Sequence, residues 1–172
     1  MLAPFFKLVD GLSWVASRLA DLAVVMLVCS MVYEVAARYL FNAPTVWAFD
    51  IAYMSNGAIF LFGVAWVLRQ DGHIRIDVLR NRLPARLAAW FEAAVYILLL
   101  LPLFGMLSKI AIFRTINAWN SGEVEMVSPW APIMWPFYLT FAVGLTILSL
   151  QFLVQGLRAV CDRKTVATEV HA

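Results

Sequence analysis

The amino-acid sequence predicts an all-α integral membrane protein with four transmembrane helices and a short amphipathic interfacial helix between the second and the third. Hydrophobic residues make up 63% of the 172 residues and charged residues 14%, against about 45–50% and 25% in soluble domains. The apolar residues collect in four stretches, each long enough for the ~20 residues with which a helix crosses about 30 Å of hydrocarbon. These stretches lie at about 12–40, 46–68, 87–119 and 133–157.

Helices are expected in these stretches because backbone groups inside lipid must bond to one another, and the stretches lack the alternation of barrel strands. The second stretch is the clearest, since residues 51–68 carry no charge and a polar run beginning with Arg69 follows at once. The longest polar segment, 69–86, is too short to bury a core of its own. The chain, residues 1–172, is therefore predicted to form a single membrane domain.

The segment before the first stretch mixes apolar and charged residues. Its apolar residues, from Phe5 to Leu12, alternate with Lys7 and Asp10 roughly as they would on a helix. We expect this segment to lie along the membrane surface before the chain turns inward. Its charges distinguish it from the short apolar core of a secretory signal, so we expect it to remain in the mature chain.

Two charged residues lie near the outer end of the first stretch. Glu34 and Arg38 are one helical turn apart and can pair at that spacing, while an ionisable group inside a bilayer costs on the order of 3 kcal/mol. Asp50, at the start of the second stretch, could join them across the short turn at 41–46. We interpret the three residues as a polar cluster that fixes the first two helices. An ion or proton pathway is the alternative.

The third stretch is longer than a bilayer requires. About thirty-two residues make a helix of about 50 Å at 1.5 Å per residue, so this helix must tilt or project from the membrane. Its charge-free centre lies between Glu92 and Lys109, which we interpret as anchors at the two membrane surfaces. Pro102 predicts a bend, and three prolines between 129 and 136 predict an irregular start of the fourth helix.

The connector between the second and third helices, residues 74–84, is predicted to be a short amphipathic helix on the cytoplasmic surface. In its second half, apolar residues recur at helical spacing and charged residues fall elsewhere. Its basic residues would then meet anionic lipid headgroups, and a docking arm for a protein partner is the alternative. We expect Arg69, His73 and Asp77 to order this connector.

Basic residues indicate the orientation of the chain. Ten of the thirteen Lys and Arg residues lie in the N-terminal segment, in the middle loop or after residue 157. By the positive-inside rule, both termini, the middle loop and the tail at 161–172 are predicted to be cytoplasmic. Aromatic rings prefer the headgroup level, and four tryptophans lie near the predicted outer surface: Trp47, Trp119, Trp130 and Trp135.

The sequence lacks the patterns of a catalytic, cofactor or nucleotide site. Two cysteines, Cys29 and Cys161, and two histidines, His73 and His171, are far apart in the chain. This excludes a thiol-exchange pair, a four-ligand metal set and a haem anchor with paired histidines. A Walker A loop is absent, as are two similar halves with broken helices. We therefore expect an accessory subunit that is no enzyme and has no cofactor and no nucleic-acid partner.

An ordered series of residues carries a resemblance to a known family. The series comprises Glu34-x-x-x-Arg38-Tyr39-Leu40-Phe41-Asn42, Pro44-x-x-Trp47-x-x-Asp50, Gly63, Arg69, His73-Ile74-Arg75-Ile76-Asp77 and Leu83-Pro84. Over about 15–160 the chain resembles the small membrane subunit of TRAP transporters, the DctQ-like family. That family often has consecutive acids after the tryptophan, whereas this chain has Phe49 before a single Asp50. A role that needs two carboxylates at this point is therefore not implied.

The resemblance implies a tripartite system in the bacterial inner membrane. In such a system a periplasmic binding protein captures a solute, usually an organic acid, and delivers it transiently to two membrane subunits. The large subunit would hold the substrate and the sodium that drives symport, and the small subunit, surrounded by membrane lipids, would brace its scaffold. The residues that we expect at structural or partner-interface positions are Glu34, Arg38, Trp47, Asp50, Arg69, His73 and Asp77.

Two smaller expectations concern helix packing and the outer loop. Small residues let helices approach closely in lipid, and the candidate positions are Gly57, Gly63, Gly105 and Gly144. The acidic, aromatic outer loop is a candidate contact for the periplasmic protein through Glu123, Glu125 and Trp130.

Two other functional classes stay open at this point. A self-assembling small channel or transporter would need a polar stripe along one face of a span, which the charge-free centres of the second, third and fourth stretches do not offer. A membrane anchor of another complex is the second alternative.

Overall fold

The computed structural model describes residues 3–70 and 85–169, and these parts of the chain are almost wholly helical. They contain α1 (Ala3–Leu40), α2 (Ala48–Arg69), α3 (Ala85–Ala94), α4 (Leu101–Ser121) and α5 (Trp135–Glu169). A π-helical segment, Val95–Leu100, joins α3 to α4. As a result α3, this segment and α4 form one continuous helix.

Four parts of these helices are long and apolar enough to cross a membrane. They are Pro4–Leu40, Ala48–Arg69, Trp90–Ser121 and Trp135–Arg158, and we call them spans one to four. This finding confirms the predicted all-helical chain with four spans. The amphipathic connector predicted at 74–84 lies outside the described residues.

Span one differs from the prediction at its N-terminus. The helix α1 continues from Ala3 to Leu40, a length of about 57 Å at 1.5 Å per residue. Residues 5–12 therefore belong to span one and do not form a separate surface helix. The physical reason is a stripe of small and apolar residues at spacings of three and four, which packs these turns against the other helices. The buried members of this stripe are Val9, Ser13, Ala16 and Ala20.

The fourth span is the common neighbour of the other three. The helix α5 contacts α1, α2 and the third span, whereas the backbone of the third span comes close to α5 alone among the described helices. Lipid tails are as apolar as the helices, so helix association in a membrane relies on close van der Waals packing. The buried core supplies it with alanines, larger aliphatic residues and phenylalanines, namely Ala16, Ala20, Ala58, Phe62, Ala65, Leu68, Ile147, Leu148 and Phe152.

Two glycines of α5 mark very close helix approaches. A Cβ added to Gly144 would lie 2.9 Å from the Cβ of Leu61 in α2. A Cβ added to Gly156 would lie 2.6 Å from the Cγ1 of Ile97 in the π-helical segment. Only a glycine leaves room for these neighbours, and Gly156 was not among the four glycines that the sequence suggested.

The four suggested glycines divide into two groups. Gly57 lies against the ring of Phe137, 3.1 Å from an added Cβ, and Gly144 lies against α2. Gly63 and Gly105 have no atom within 4 Å of an added Cβ. The second pair therefore does not serve packing between the described helices.

The irregularity predicted at Pro102 lies in the turns that precede it. The N–H of Leu101 donates to the carbonyl of Tyr96, five residues earlier, which is the hydrogen bond of a π-helix. Proline has no N–H, and in a regular α-helix its ring clashes with the carbonyl four residues earlier. The wider π-helical turns accommodate this ring without breaking the helix.

The chain between spans three and four is a short folded loop. The helix α4 ends at Ser121, and Gly122 follows in the left-handed conformation with a φ of 61°, which favours glycine after a helix. The N–H of Met134 donates to the carbonyl of Glu123 at 2.9 Å. This pairing brings the end of α4 next to the start of α5 and forms the irregular segment predicted before the fourth helix.

Candidate functional site

Polar side chains inside the bundle collect at its two ends. We call one end, with Asp10, Arg69 and Arg158, the Asp10 end. The opposite end, with Glu34 and the loops at 41–47 and 122–134, is the Glu34 end. Both clusters join segments that are distant in sequence, so they act as ties between helices.

Glu34 is the centre of the first cluster. Its side chain is nearly buried, and the Nε of Arg38 donates to its Oε1 at 3.0 Å. The backbone N–H of Thr45 donates to Oε2 at 2.8 Å, and the Thr45 hydroxyl donates to the same oxygen. Charge-assisted bonds of this kind are about twice as strong as neutral ones. Glu34 thereby ties the end of α1 to the loop that leads into α2.

Trp47 lies beside this cluster, at the start of α2. Its ring stacks on Tyr33 of α1, with 5.4 Å between ring centroids and 29° between planes. This contact adds an aromatic tie between the same two helices.

Asp50 has a different partner from the one that the sequence suggested. It is buried, and its Oδ2 accepts a hydrogen bond from the hydroxyl of Ser128. Among the described residues no ion pair joins Asp50 to Arg38. Asp50 therefore connects the start of α2 to the loop before α5, while Glu34 and Arg38 form a separate pair.

Asp10 is the centre of the second cluster. Its carboxylate accepts a hydrogen bond from Arg158 of α5 at 2.7 Å and lies 3.6 Å from the Nε of Arg69 of α2. The amide of Gln151, also in α5, donates to it at 3.4 Å. One carboxylate of α1 thus holds cations from two other helices, and the three packed spans meet at this point.

Two buried glutamines extend the Asp10 cluster into the bundle. Gln151 is fully buried, and its side-chain oxygen accepts a hydrogen bond from Ser13 at 3.4 Å. Gln155 donates to the carbonyl of Leu68 at 2.9 Å. A buried polar group is costly unless it is hydrogen-bonded. These bonds give each buried amide a partner on another helix and oppose rotation of α5 against α1 and α2.

Aromatic rings cover the two arginines of the Asp10 cluster. The guanidinium of Arg69 lies 4.8 Å from the ring centroid of Trp66, and that of Arg158 lies 5.4 Å from the centroid of Phe6. Contacts at this distance are cation–π interactions. They hold both guanidiniums against the bundle.

The third span has its own polar contacts with α5. The hydroxyls of Ser108 and Thr146 are 2.6 Å apart. Nearer the Glu34 end, Arg114 donates to Glu123 at 2.7 Å, and the Tyr138 hydroxyl donates to the same carboxylate at 3.2 Å. Glu123 is therefore occupied within the chain, although the sequence suggested it as a contact for another protein.

Sequence reasoning identified part of these clusters. The pair Glu34 and Arg38, and the residues Asp50 and Arg69, were singled out, but Asp10 was not. The fourth stretch contains two polar residues at helical spacing, Gln151 and Gln155. Polar residues in a span usually face other helices, so this pair could have indicated a polar contact inside the bundle. The predicted positions of His73 and Asp77 lie outside the described residues.

An open cleft of about 340 Å³ lies at the Glu34 end. Its lining is mostly apolar and includes two acidic residues, Asp50 and Glu125. The other lining residues are Val46, Phe49, Tyr53, Val127, Ser128 and Pro129. Within residues 3–70 and 85–169, no group of three His, Cys, Asp or Glu residues has the arrangement of a metal site.

Comparison with protein families identifies a family for most of the chain. The family model "Tripartite ATP-independent periplasmic transporters, DctQ component" matches residues 27–162 of the 172. A search of curated proteins finds no match to the chain. The matched family is a transporter component of the inner membrane and is not enzymatic, and membership implies partnership with the large membrane subunit and the periplasmic component of such a system. From Leu27 to Asp162, and thus over spans two, three and four and the last 14 residues of span one, the chain belongs to the DctQ family, the small membrane subunits of TRAP transporters.

Proposed function

We propose that this chain is the scaffold subunit of a sodium-driven TRAP transporter that imports an organic acid delivered by a periplasmic binding protein. Its task is to brace the large membrane subunit, which holds the substrate and sodium sites. Membership of the DctQ family supports the assignment to such a system. The bracing role rests on the geometry of the bundle.

The observation that carries this proposal is the exposure of the third span. In the most apolar window of span three only 6% of the residues are buried, compared with 44% in span four. Span three thus attaches to the bundle along α5 and leaves most of its surface to lipid or to another protein. A surface of this kind, on a helix of 32 residues, is what a bracing subunit needs to offer its partner.

The two polar clusters support the same role. Glu34 ties α1 to the start of α2, and Asp10 ties α1, α2 and α5 at the other end. Bonds at both ends oppose rotation and sliding of the helices relative to one another. A subunit that supports a moving partner benefits from such a fixed frame, because shifts of packed elements are the usual means of conformational change.

We further propose that the Asp10 end is cytoplasmic and the Glu34 end periplasmic. The excess of Lys and Arg in the N-terminal segment, the middle loop and the residues after 157 supports this orientation. Both termini are then cytoplasmic. The cleft beside Asp50 and the loop at 122–134 then face the periplasmic binding protein.

Co-purification followed by transport tests the proposal. The tagged chain is expressed with the large subunit, purified in mild detergent and reconstituted into liposomes. We expect the large subunit at a constant ratio, and uptake of the acid that stabilises the periplasmic protein in a thermal-shift screen. Uptake should require that protein and an inward sodium gradient, and it should be lost when the small subunit is omitted. Recovery of this chain alone, as a homo-oligomer that conducts ions, would replace the proposal with the channel alternative.

A further inference from the structure

The third span carries an exposed charge that no described residue of the chain neutralises. Lys109 lies on the exposed side of α4. Among the described residues it takes part in no hydrogen bond or ion pair, whereas Arg114, further along the same helix, is bound to Glu123 and Tyr138. The charge of Lys109 in span three therefore has no counter-charge among the described residues.

Contacts with α5 place Lys109 at the middle depth of the bundle. The residue before it, Ser108, is 2.6 Å from Thr146, hydroxyl to hydroxyl. Thr146 is the twelfth of the 24 residues in span four, which runs from Trp135 to Arg158. The backbone at Lys109 is thus level with the centre of span four. The sequence alone suggested that Lys109 anchors the helix at a membrane surface. That interpretation does not fit this depth.

The position is too deep for the charge to reach water along the side chain. Half the hydrocarbon core is about 15 Å thick, and a lysine stem of four carbons is much shorter than that. Ionisable groups at such depth normally face other helices or a water-filled cavity and pair there. The described carboxylates near the Glu34 end, Asp50, Glu34 and Glu123, already have partners. No described residue therefore neutralises Lys109, which leaves its ammonium open to a carboxylate of another subunit.

The surface around Lys109 allows a second helix to approach. Gly105 lies one turn earlier on the same face, and an added Cβ there would have no atom within 4 Å. The large apolar side chains on either side, Met106 and Phe113, are 68% and 64% exposed. A glycine next to a polar residue on a span is typical of a helix–helix contact in lipid, since backbones approach closely and polar groups pair across the contact.

We propose that Lys109 and Gly105 mark the contact of span three with a helix of the large membrane subunit, and that an aspartate or glutamate of that helix pairs with the Lys109 ammonium. The inference rests on the proposed function, because it takes the large subunit as the partner. It adds the site of contact and its chemistry. A membrane-embedded pair of this kind fixes both the depth and the rotation of one helix against the other.

Substitution at residue 109 tests the charge pairing. Lys109→Met keeps the length of the side chain and removes its charge, so insertion of the chain into the membrane becomes easier and its amount in membranes should not fall. The large subunit recovered per tagged chain should nevertheless fall at least tenfold, because a carboxylate would remain unpaired at the contact. Lys109→Arg should retain recovery within about threefold. The matched control is Leu103→Met, exposed on the same helix and about 120° around it from Lys109.

Outcomes of this test separate the inference from the proposed function. Unchanged recovery with Lys109→Met overturns the inference and leaves the proposed function standing. If the unaltered chain recovers no large subunit, both are overturned.

Photo-crosslinking tests the identity of the partner. A photoreactive amino acid replaces Phe113, one turn beyond Lys109, or Leu103 as the control, in the full complex in membranes. We expect an adduct with the large subunit from residue 113 and at least tenfold less from residue 103. An adduct with a second copy of this chain, or with lipid alone, overturns the inference.

Discussion

Asp10→Asn is a direct test of the three-helix tie at the Asp10 end. The substitution removes the charge of Asp10 and keeps the size of the side chain nearly unchanged. The side chain of Asp10 is 18% exposed, and those of Arg158 and Arg69 are 29% and 32% exposed. In the variant, two mostly buried guanidiniums would lie close together without an anion between them.

The expected loss of stability follows from this burial. A solvent-exposed ion pair contributes about 0–1 kcal/mol, whereas breaking a fully buried pair costs about 3–5 kcal/mol. The Asp10 cluster lies between these limits, so we expect the free energy of unfolding to fall by about 2–3 kcal/mol. At about 2–4 °C per kcal/mol for a chain of this size, the melting temperature should fall by roughly 5–10 °C.

Thermal unfolding in detergent, followed by far-UV circular dichroism, measures this loss. The matched control is Lys7→Gln, because Lys7 is an exposed charge near the same end of the same helix. The control should change the free energy of unfolding by no more than about 0.5 kcal/mol. Adding Arg158→Gln to Asp10→Asn should restore part of the lost stability. Equal melting temperatures for the two single variants would refute the reasoning, because burial of the charge would then not govern the loss of stability.

Three further predictions concern packing and the other polar contacts. Gly156→Ala should lower the free energy of unfolding by about 1–3 kcal/mol, because the added methyl overlaps Ile97. Gly63→Ala should be neutral or stabilising by up to about 1 kcal/mol, because an added Cβ there meets no atom within 4 Å. Thermal unfolding compares the two variants. Glu34→Gln should lower both the melting temperature and the amount of complex with the large subunit, because a neutral amide weakens the hydrogen bonds that join α1 to the start of α2. An unaltered melting temperature would contradict this prediction. Ser108→Ala should cost less than about 1 kcal/mol, the usual size of a hydroxyl contact between spans, and a loss above 2 kcal/mol would be inconsistent with it.

The positions of the spans could be predicted from the sequence because a bilayer sets a length requirement that apolar stretches either meet or fail. The polar ends of the stretches mark the boundaries directly, as at Arg69. The N-terminal segment was placed wrongly because Lys7 and Asp10 suggested a solvated surface helix. The burial of Val9 and the pairing of Asp10 with two arginines make these turns part of the bundle.

The polar clusters were harder to predict because they depend on contacts between residues that are distant in sequence. Glu34 and Arg38 are four residues apart, so their pairing follows from helix geometry alone. Asp50 and Ser128 are 78 residues apart, and local spacing offers no rule that would connect them. The depth of Lys109 likewise depends on its neighbour's contact with α5, which hydropathy along one helix does not reveal.

The tie between Asp10 and Arg158 also has a consequence for biosynthesis. Its two residues are 148 positions apart in the chain, and ribosomes add about 5–20 residues per second. Asp10 is therefore made between about 7 and 30 s before Arg158, and of its two described arginine partners only Arg69 is synthesised within that interval. The hairpin of the first two spans must therefore remain in the membrane without its contacts to the fourth span until that span is inserted and pairs with Asp10. Membrane insertases and proteases that survey nascent chains meet the protein in this open form.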